Sequence, residues 1–533
     1  MKRVGALGIS GKKFWRSEGM LFVGLALFLS ITTVESQVFV PRNEQTVYGH
    51  ISDGDENPLV ARVEMWREPF VELPDTAVDN LVGVTYSTRL GYYAIDVPVG
   101  QFRLRFSKGP EYELWDEVMR VGENQDDGVQ KDVTLRHLYE LAKQGWYGGD
   151  VHLHTIHSDG HNTPSELVVG LKGAGLSWGV LTDHNSTAGG KEWLATAESG
   201  FLPILGNEIT TEYKPKPGRQ GFGHMGQWFI NSLYGSDPAN PNIWVRCMLS
   251  DDGQVQEAVD QTHGQGGLIS VNHPFTNWDW AGRFRSWGIV RNLDAMEIWN
   301  GEPPLSPTQS FPNDVNRNNV ALQIWFELLN AGNRLVAVGG SDCHDIYGVN
   351  GWPVGPTYWK TFPGNSMTYV RLDSLASSSL RSSLSRGRAF VTSGFGPLLL
   401  VDAEGNGPGD VVRTTGRDSV QFGIRILSNR VLLADSQAIR LVVNGIERLK
   451  VPTDGGMVCE KAVNLRFDRD SWVVVLAFGA YPQLAITDPI YIDVPPYGDW
   501  DNPSWHQPKE AKEWNTFPQY PRLTISNGPG AGN

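Results

Sequence analysis

Twelve consecutive residues, Asp150-Val-His-Leu-His-Thr-Ile-His-Ser-Asp-Gly-His161, hold four histidines and two aspartates. His152 and His154 are two apart, so on a β-strand both imidazoles leave the same face. Two imidazoles on one face supply half a metal site, and the other half must come from distant positions. Downstream stand Asp183-His184, Glu208, His224, His273, Asp342 and His344, and nine of the 12 histidines fall between positions 152 and 344. Mixed imidazole and carboxylate ligands suit zinc, manganese or iron better than magnesium or calcium, which prefer oxygen alone. A single ion would leave most of these candidates unused, so two or three divalent transition-metal ions sharing a bridging carboxylate is the economical reading. Clustered ions lower the pKa of bound water towards about 7 and stabilise developing negative charge, which is the chemistry of hydrolysis.

Elements able to bring these residues together begin near Gln144. Thr163-Pro-Ser-Glu166 is a capping box with proline at the first helical position, which predicts a helix through Ala174 that stops at Gly175. Strand-like runs follow at Trp178–Thr182, Leu202–Leu205, Gly226–Ile230, Gly267–Val271, Ala295–Trp299 and Arg334–Val338, with helical patterns near 190–199, 253–263 and 314–331. With the run into His152, seven strands alternating with helices predict a closed or nearly closed β/α barrel over 144–364. Chemistry in such barrels sits at the C-terminal strand ends. His152, His154, His184, Glu208, His273, Asp342 and His344 obey that rule, whereas His224 precedes its run.

The flanks have a different texture. Short alternating runs between 45 and 140, including Tyr92–Val97 and Phe102–Phe106, predict a small antiparallel sandwich that resembles the transthyretin-like modules attached to carboxypeptidases. Runs between 365 and 494, such as Val420–Ile426 and Ser471–Phe478, predict a second sandwich, and 495–533 forms an extended tail rich in Pro, Gly and Trp. Residues 1–36 combine basic positions with an apolar run from Met20 to about Thr33, which reads as an export signal or an N-terminal anchor and predicts a periplasmic or extracellular protein.

Composition sets further bounds. At 533 residues the chain exceeds one hydrophobic core. A net charge of −14 and no Lys/Arg cluster argue against a nucleic-acid partner. Three cysteines, Cys247, Cys343 and Cys459, cannot form a disulfide framework. The 19 tryptophans predict a buried aromatic core, with a substrate-stacking wall as the alternative. His50 and His137 read as structural or surface histidines, and Cys343 as a core residue.

Taken together, His152-x-His154-x-x-x-Ser158-Asp159-Gly160, Leu-Thr-Asp-His184-Asn, Gly-Asn-Glu208, Val-Asn-His273-Pro and Gly-Ser-Asp342-x-His344 resemble the polymerase and histidinol phosphatase (PHP) superfamily of metal-dependent hydrolases. The leader, the first sandwich, the Gly-His224-Met turn and Gly387-Arg-Ala-Phe-Val-Thr-Ser-Gly394 resemble its exported branch, which includes carbaryl hydrolases. The resemblance implies an α/β fold, a distorted (β/α)7 TIM-like barrel between two β-sandwiches. It implies one ion on His152, His154 and Asp342, a second on His224 and His273 with Glu208 bridging, and a third among Asp159, His184 and His344. His157 and His161 are rivals to Asp159. A metal-bridged hydroxide would attack a phosphoryl or acyl centre of a small-molecule substrate, Asp342 or His344 would move the proton, and Asp183 would orient a ligand. Arg219, Arg246, Arg283 and Arg285 are possible phosphate clamps, each otherwise a solvated charge. Phosphoester and carbamate or aryl ester bonds both fit these ligands. A non-catalytic glycan-binding or structural module is the reading of another class, and the completeness of the ligand set counts against it. The sequence fixes no oligomeric state.

Overall fold

The computed structural model describes residues 44–68, 81–122, 128–210, 222–232, 252–275, 283–288, 290–301, 303–305, 317–347, 362–432, 434, 438–480, 483–498, 500, 504–508, 511 and 514. The expected leader, Cys247, Arg219 and Arg246 lie outside them. The N-terminal strands are β1 (Glu44–Ser52), β2 (Arg62–Arg67), β3 (Leu81–Tyr86), β4 (Tyr92–Pro98), β5 (Gly100–Ser107), β6 (Trp115–Val121), β7 (Val129–Gln130) and β8 (Val133–Thr134). They form two four-stranded sheets, β4-β1-β7 with β8 beside β1, and β3-β2-β5-β6. Strand β4 alternates exposed and buried residues, as a strand with one wet face must. Inward residues of both sheets, among them Val47, Ile95, Val63, Leu104 and Phe106, share one apolar core.

Seven strands follow in chain order within one sheet: β9 (Trp146–Leu153), β10 (Trp178–Leu181), β11 (Leu202–Thr210), β12 (His224–Trp228), β13 (Leu268–Asn272), β14 (Ala295–Asn300) and β15 (Val336–Gly340). Helices α1 (Pro164–Gly173), α2 (Gly190–Leu194), α3 (Asp252–Gly264) and α4 (Arg317–Asn330) are interspersed among them. Strands β10, β12, β13 and β15 are buried along their whole length, including the polar His224, Gln227, Ser270 and Asn272. The two ends of this curled sheet meet near the candidate site residues His152, His154 and Asp342. Leu153 bridges Cys343, with His154 N donating to Cys343 O at 2.9 Å and Cys343 N to His152 O at 3.3 Å.

The parallel run of strands is interrupted at one strand, and among the described residues no helix separates β11 from β12 or β13 from β14. Strands β9, β10 and β11 run parallel, as do β13, β14 and β15, but β12 is antiparallel to both neighbours. The reversal places the first residue of β12 beside the last residues of β11 and β13: His224 pairs with Thr210 on one side and Asn272 on the other. The residue that departs from the strand-end rule therefore reaches the same end of the sheet as the rest.

The remaining elements are β16 (Ser366–Arg371), α5 (Ser377–Leu384), β17 (Ala389–Ser393), β18 (Leu398–Ala403), β19 (Val411–Arg413), β20 (Ser419–Leu432), β21 (Ile439–Val443), β22 (Ile446–Val451), β23 (Gly456–Arg466), β24 (Ser471–Phe478), β25 (Leu484–Thr487) and β26 (Ile490–Asp493). The sequence predicts a second sandwich here; in the structure β16 pairs antiparallel with β9, and β17, β25, β24, β21 and β22 continue the same sheet. Strands β18, β20 and β23 form a separate three-stranded sheet, and Leu399, Phe422 and Ile426 share a core with Leu441, Val475 and Ile490. From the tail, Trp500, Ala511 and Trp514 join the apolar cluster containing Phe284 and Trp287, with the Trp287 and Trp514 rings 5.8 Å apart. Trp178, Trp193, Trp228, Trp299, Trp325 and Trp472 are also fully buried, so these tryptophans act as core.

The capping box is present: Thr163 Oγ1 accepts from Glu166 N at 3.3 Å, and Glu166 Oε2 accepts from Thr163 N at 2.8 Å. Thr163→Ala removes half of it and is expected to cost about 1 kcal/mol. Calorimetry should show Tm lowered by about 2–4 °C or less.

Candidate metal centre

Nine ligand-type side chains converge at the end of the curled sheet where its two edges meet. His152 and His154 leave β9 and the residues just after it, His184 follows β10, Glu208 is in β11, His224 opens β12 and His273 follows β13. Asp342 and His344 follow β15, and Asp159 comes from the loop after β9. Ligand atoms lying within 4.8 Å of one another form four overlapping groups: His154, Asp159, His184 and His344; His152, Glu208 and His273; His152, His154 and Asp342; His184, Glu208 and His224. Relative to the expected ligand sets, His154 also joins the Asp159 group, and the expected Glu208, His224 and His273 set is divided, with His273 grouping with His152 and Glu208 and His224 grouping with His184 and Glu208.

Glu208 is the hub. Its Oε1 lies 3.2 Å from His152 Nε2, 3.1 Å from His224 Nδ1 and 3.1 Å from His273 Nε2. Its Oε2 lies 2.9 Å from His184 Nδ1 and 3.6 Å from His154 Nε2. Asp342 Oδ1 faces His152 Nε2 at 3.3 Å and His154 Nε2 at 3.1 Å, while Asp159 faces His184 at 3.4 Å and His344 at 3.3 Å. Side chains of His152, His154 and Glu208 are wholly buried, whereas those of His344 and Asp159 are 25% and 33% exposed, so the described cluster opens to solvent on the Asp159 side.

A second layer aims these ligands. Glu297 on β14 accepts from His152 Nδ1 at 2.7 Å through Oε1, and from His273 N at 2.7 Å and Asn300 Nδ2 at 3.1 Å through Oε2. Holding Nδ1 leaves Nε2 as the atom His152 would offer a metal. Asp150 Oδ1 ties His152 N and Ser341 N at 3.1 and 3.0 Å, joining β9 to the Asp342 loop. Asn272 Nδ2 donates to Glu208 Oε1 at 3.1 Å, and Thr210 Oγ1 meets His184 Nδ1. Asp342 and His273 carry positive φ values of 55° and 24°, uncommon for side chains other than glycine, and such strain persists only where the surroundings impose it. Gly160 is needed for space: a Cβ there would lie 2.6 Å from the His154 carbonyl.

The electrostatics follow from burial and contact. Burial pushes the Glu208 carboxyl up, but His152, His224 and His184 outweigh it and hold it well below the usual carboxylate range. Burial disfavours charged His152, yet Asp342, Glu297 and Glu208 raise it well above the ordinary imidazole value. His154 goes the other way: burial, then His344 and His184, push it down to about 3. It is therefore neutral at physiological pH, the form a metal requires.

Residues and metal fit. His152 Nε2, both nitrogens of His154, Glu208 Oε2, His224 Nε2 and His273 Nδ1 are buried without an aligned hydrogen bond, although several stand at ion-pair distance. Buried polar atoms are almost always hydrogen-bonded, so this concentration of unsatisfied imidazole and carboxylate atoms matches the donor set of divalent cations.

Other expected residues fall outside the cluster. His157 Nε2 faces Glu192 at 3.4 Å, and the exposed His161 contributes only its backbone N–H, to His344 O at 2.7 Å. Of the three rivals, the groups include Asp159. Asp183 takes Thr155 N at 2.7 Å, Thr155 Oγ1 at 2.7 Å and Ser158 Oγ at 2.8 Å, which shapes the loop carrying Asp159. Arg283 is buried, its Nη2 donating to Trp514 O at 2.8 Å, so it is neither a solvated charge nor free to clamp a phosphate. Cys343 is buried in the apolar core, as its alternation with the ligands suggests. Sequence reasoning missed Glu297, whose only trace was an acid inside the apolar run Ala-Met-Glu-Ile-Trp299.

No family model and no curated protein matches the chain. Solved structures similar to it include a two-domain Bacteroides vulgatus protein containing a predicted PHP-like metal-dependent phosphoesterase, at 18% identity, 65% of this chain, 95% of that chain and a TM-score of 0.34. A lesion-specific endonuclease from Pyrococcus furiosus matches at 14% identity, over 45% and 56% of the two chains, with a TM-score of 0.28. An amidohydrolase from Chromobacterium violaceum, with bound sulfate and no metal, matches at 16% identity over 40% and 89%, with a TM-score of 0.24.

Glu297→Gln should weaken divalent-metal affinity by about 10- to 100-fold in a chelator competition titration, while His157→Ala leaves it unchanged. Because His152 is raised above its ordinary value of 6.5, it keeps its proton past that pH in the metal-free protein. Metal binding must displace that proton, so affinity should climb as pH rises above 6.5 and calorimetry should record proton release.

Proposed function

We propose that the chain is a metal-dependent hydrolase that uses two or three divalent transition-metal ions of the zinc, manganese or iron kind on an ester-type bond. The supporting observation is Glu208, a buried carboxylate whose two oxygens face different sets of imidazoles, the disposition of a bridging ligand. His152, His154 and Asp342 would hold one ion, Glu208, His224 and His273 a second, and Asp159, His184 and His344 a third. Such ions supply a nucleophile at neutral pH and stabilise negative charge on the reacting centre.

The chain's own residues do the remainder. Glu297 and Asn272 fix His152 and Glu208, so the ligand geometry is set before substrate arrives. His344 and Asp342 adjoin the solvent-open side, with His344 Nδ1 3.6 Å from Asp342 Oδ1, and are the groups placed to move a proton to or from the substrate. Among the described residues the ion-pair partners of Glu208, Asp159 and Asp342 are histidines. Phosphoester and carbamate or aryl ester are the bonds to distinguish. The motifs resemble those of the PHP superfamily, and residues 1–36 support an exported, periplasmic or extracellular enzyme.

Metal-loaded protein is expected to turn over at least one of p-nitrophenyl phosphate, bis-p-nitrophenyl phosphate and naphthyl methylcarbamate. Glu208→Ala and His152→Ala should each lose turnover by about 100-fold or more together with bound metal, consistent with the weight of a charge-stabilising group. Inactivity of wild type on all three substrates, or less than one equivalent of transition metal per chain, overturns the assignment and favours a binding module.

A further inference from the structure

The segment after β15 carries Asp342 and His344 and then turns away at Ile346. Its backbone is held from three sides. Ile346 O accepts from Tyr86 Oη at 2.8 Å and from Arg62 Nη1 at 3.2 Å, both residues of the N-terminal β3-β2-β5-β6 sheet. Ile346 N donates to Asn162 Oδ1 at 2.8 Å, and His344 O accepts from His161 N at 2.7 Å. Asn162 O in turn accepts from Ile156 N at 3.0 Å, which closes the loop bearing Asp159. Two metal-ligand loops are thus tied to each other, and their outer anchor is a different module.

The anchor is built with more polar machinery than a simple interface needs. Arg62 is buried, paired with Glu64 at 2.7 Å, bonded to Tyr86 Oη at 3.0 Å and 3.8 Å from the Phe362 ring centroid. Burying an Arg–Glu pair gains little stability over apolar side chains of similar volume. What it does supply is direction, because guanidinium and phenol converge on one carbonyl. Tyr86 also fills the space beside Gly173 at the end of α1, where a Cβ would come within 2.5 Å of its ring, so the hydroxyl has little freedom.

We propose that Tyr86 and Arg62 are positioning residues for the metal centre: by clamping Ile346 O, the N-terminal module sets the placement of Asp342 and His344. The proposal rests on the reading of the cluster as a metal centre and adds a role for the leading module. Tyr86→Phe removes the hydroxyl and keeps the ring. Tyr139→Phe is the matched control, since Tyr139 Oη donates to Ser428 O at 2.8 Å and ties the same module to β20 without touching either ligand loop.

The test is chelator competition with zinc and manganese on the full chain, with the melting temperature recorded beside it. Tyr86→Phe is expected to weaken the weakest-held ion by about tenfold, the lower range for residues that orient ligands, and Tyr86→Phe/Arg62→Lys by more. Tyr139→Phe should bind metal as wild type does even if it melts lower. Wild-type affinity in Tyr86→Phe, or an equal loss in Tyr139→Phe, overturns the clamp alone. Failure of wild type to bind either metal removes the metal-centre reading and the clamp with it.

Discussion

A carboxylate removed from water must find compensating charge, and everything around Glu208 is arranged to meet that demand. Five imidazoles surround its two oxygens. Carried on β9, β10, β12, β13 and the residues that follow them, they require several strands to end at one place. Convergence of strand ends satisfies the electrostatics, and the same convergence assembles a cluster able to hold metal.

Strand direction matters as much as strand order. Reversing β12 adds His224 to the cluster from the start of a strand, which a uniformly parallel sheet could not do. Glu297 performs the matching task from β14 without joining the nine. By binding the His152 ring and the His273 backbone through its two oxygens, it couples residues separated by 121 positions, as their numbers show. The flanking modules are continuous with this scheme. Strand β16 forms the second edge of β9, and Arg62 and Tyr86 reach the loop after β15.

Much of this was legible in the residues themselves. The two-residue spacing of His152 and His154 sets their shared face, and the recurrence of ligand-type residues at the ends of apolar runs predicted which would meet. Asp159 was open against His157 and His161 because a loop has no period from which side-chain direction can be read. The reversal of β12 was hidden because alternation is blind to direction, although His224 at the front of its run was the trace it left. Glu297 was hidden because one acid in an apolar run carries no indication of its partner. The union of 365–494 with the central sheet was invisible for a related reason: pairing between β9 and β16 is decided by packing across about 220 residues of chain, and nothing local encodes it.

That shared sheet bears on how the chain folds as it is made. Strand β9 gains β10 within a few dozen residues, but its other edge is covered only when Ser366–Arg371 and the Cys343 segment arrive. Until then the strand that leads into the ligand cluster is a bare edge, open to mispairing with other chains. A fragment ending near residue 364, where the sequence suggests a boundary, would keep every proposed ligand and the Cys343 bridge, yet leave Trp146 to Gly149 of that edge permanently without the β16 partner.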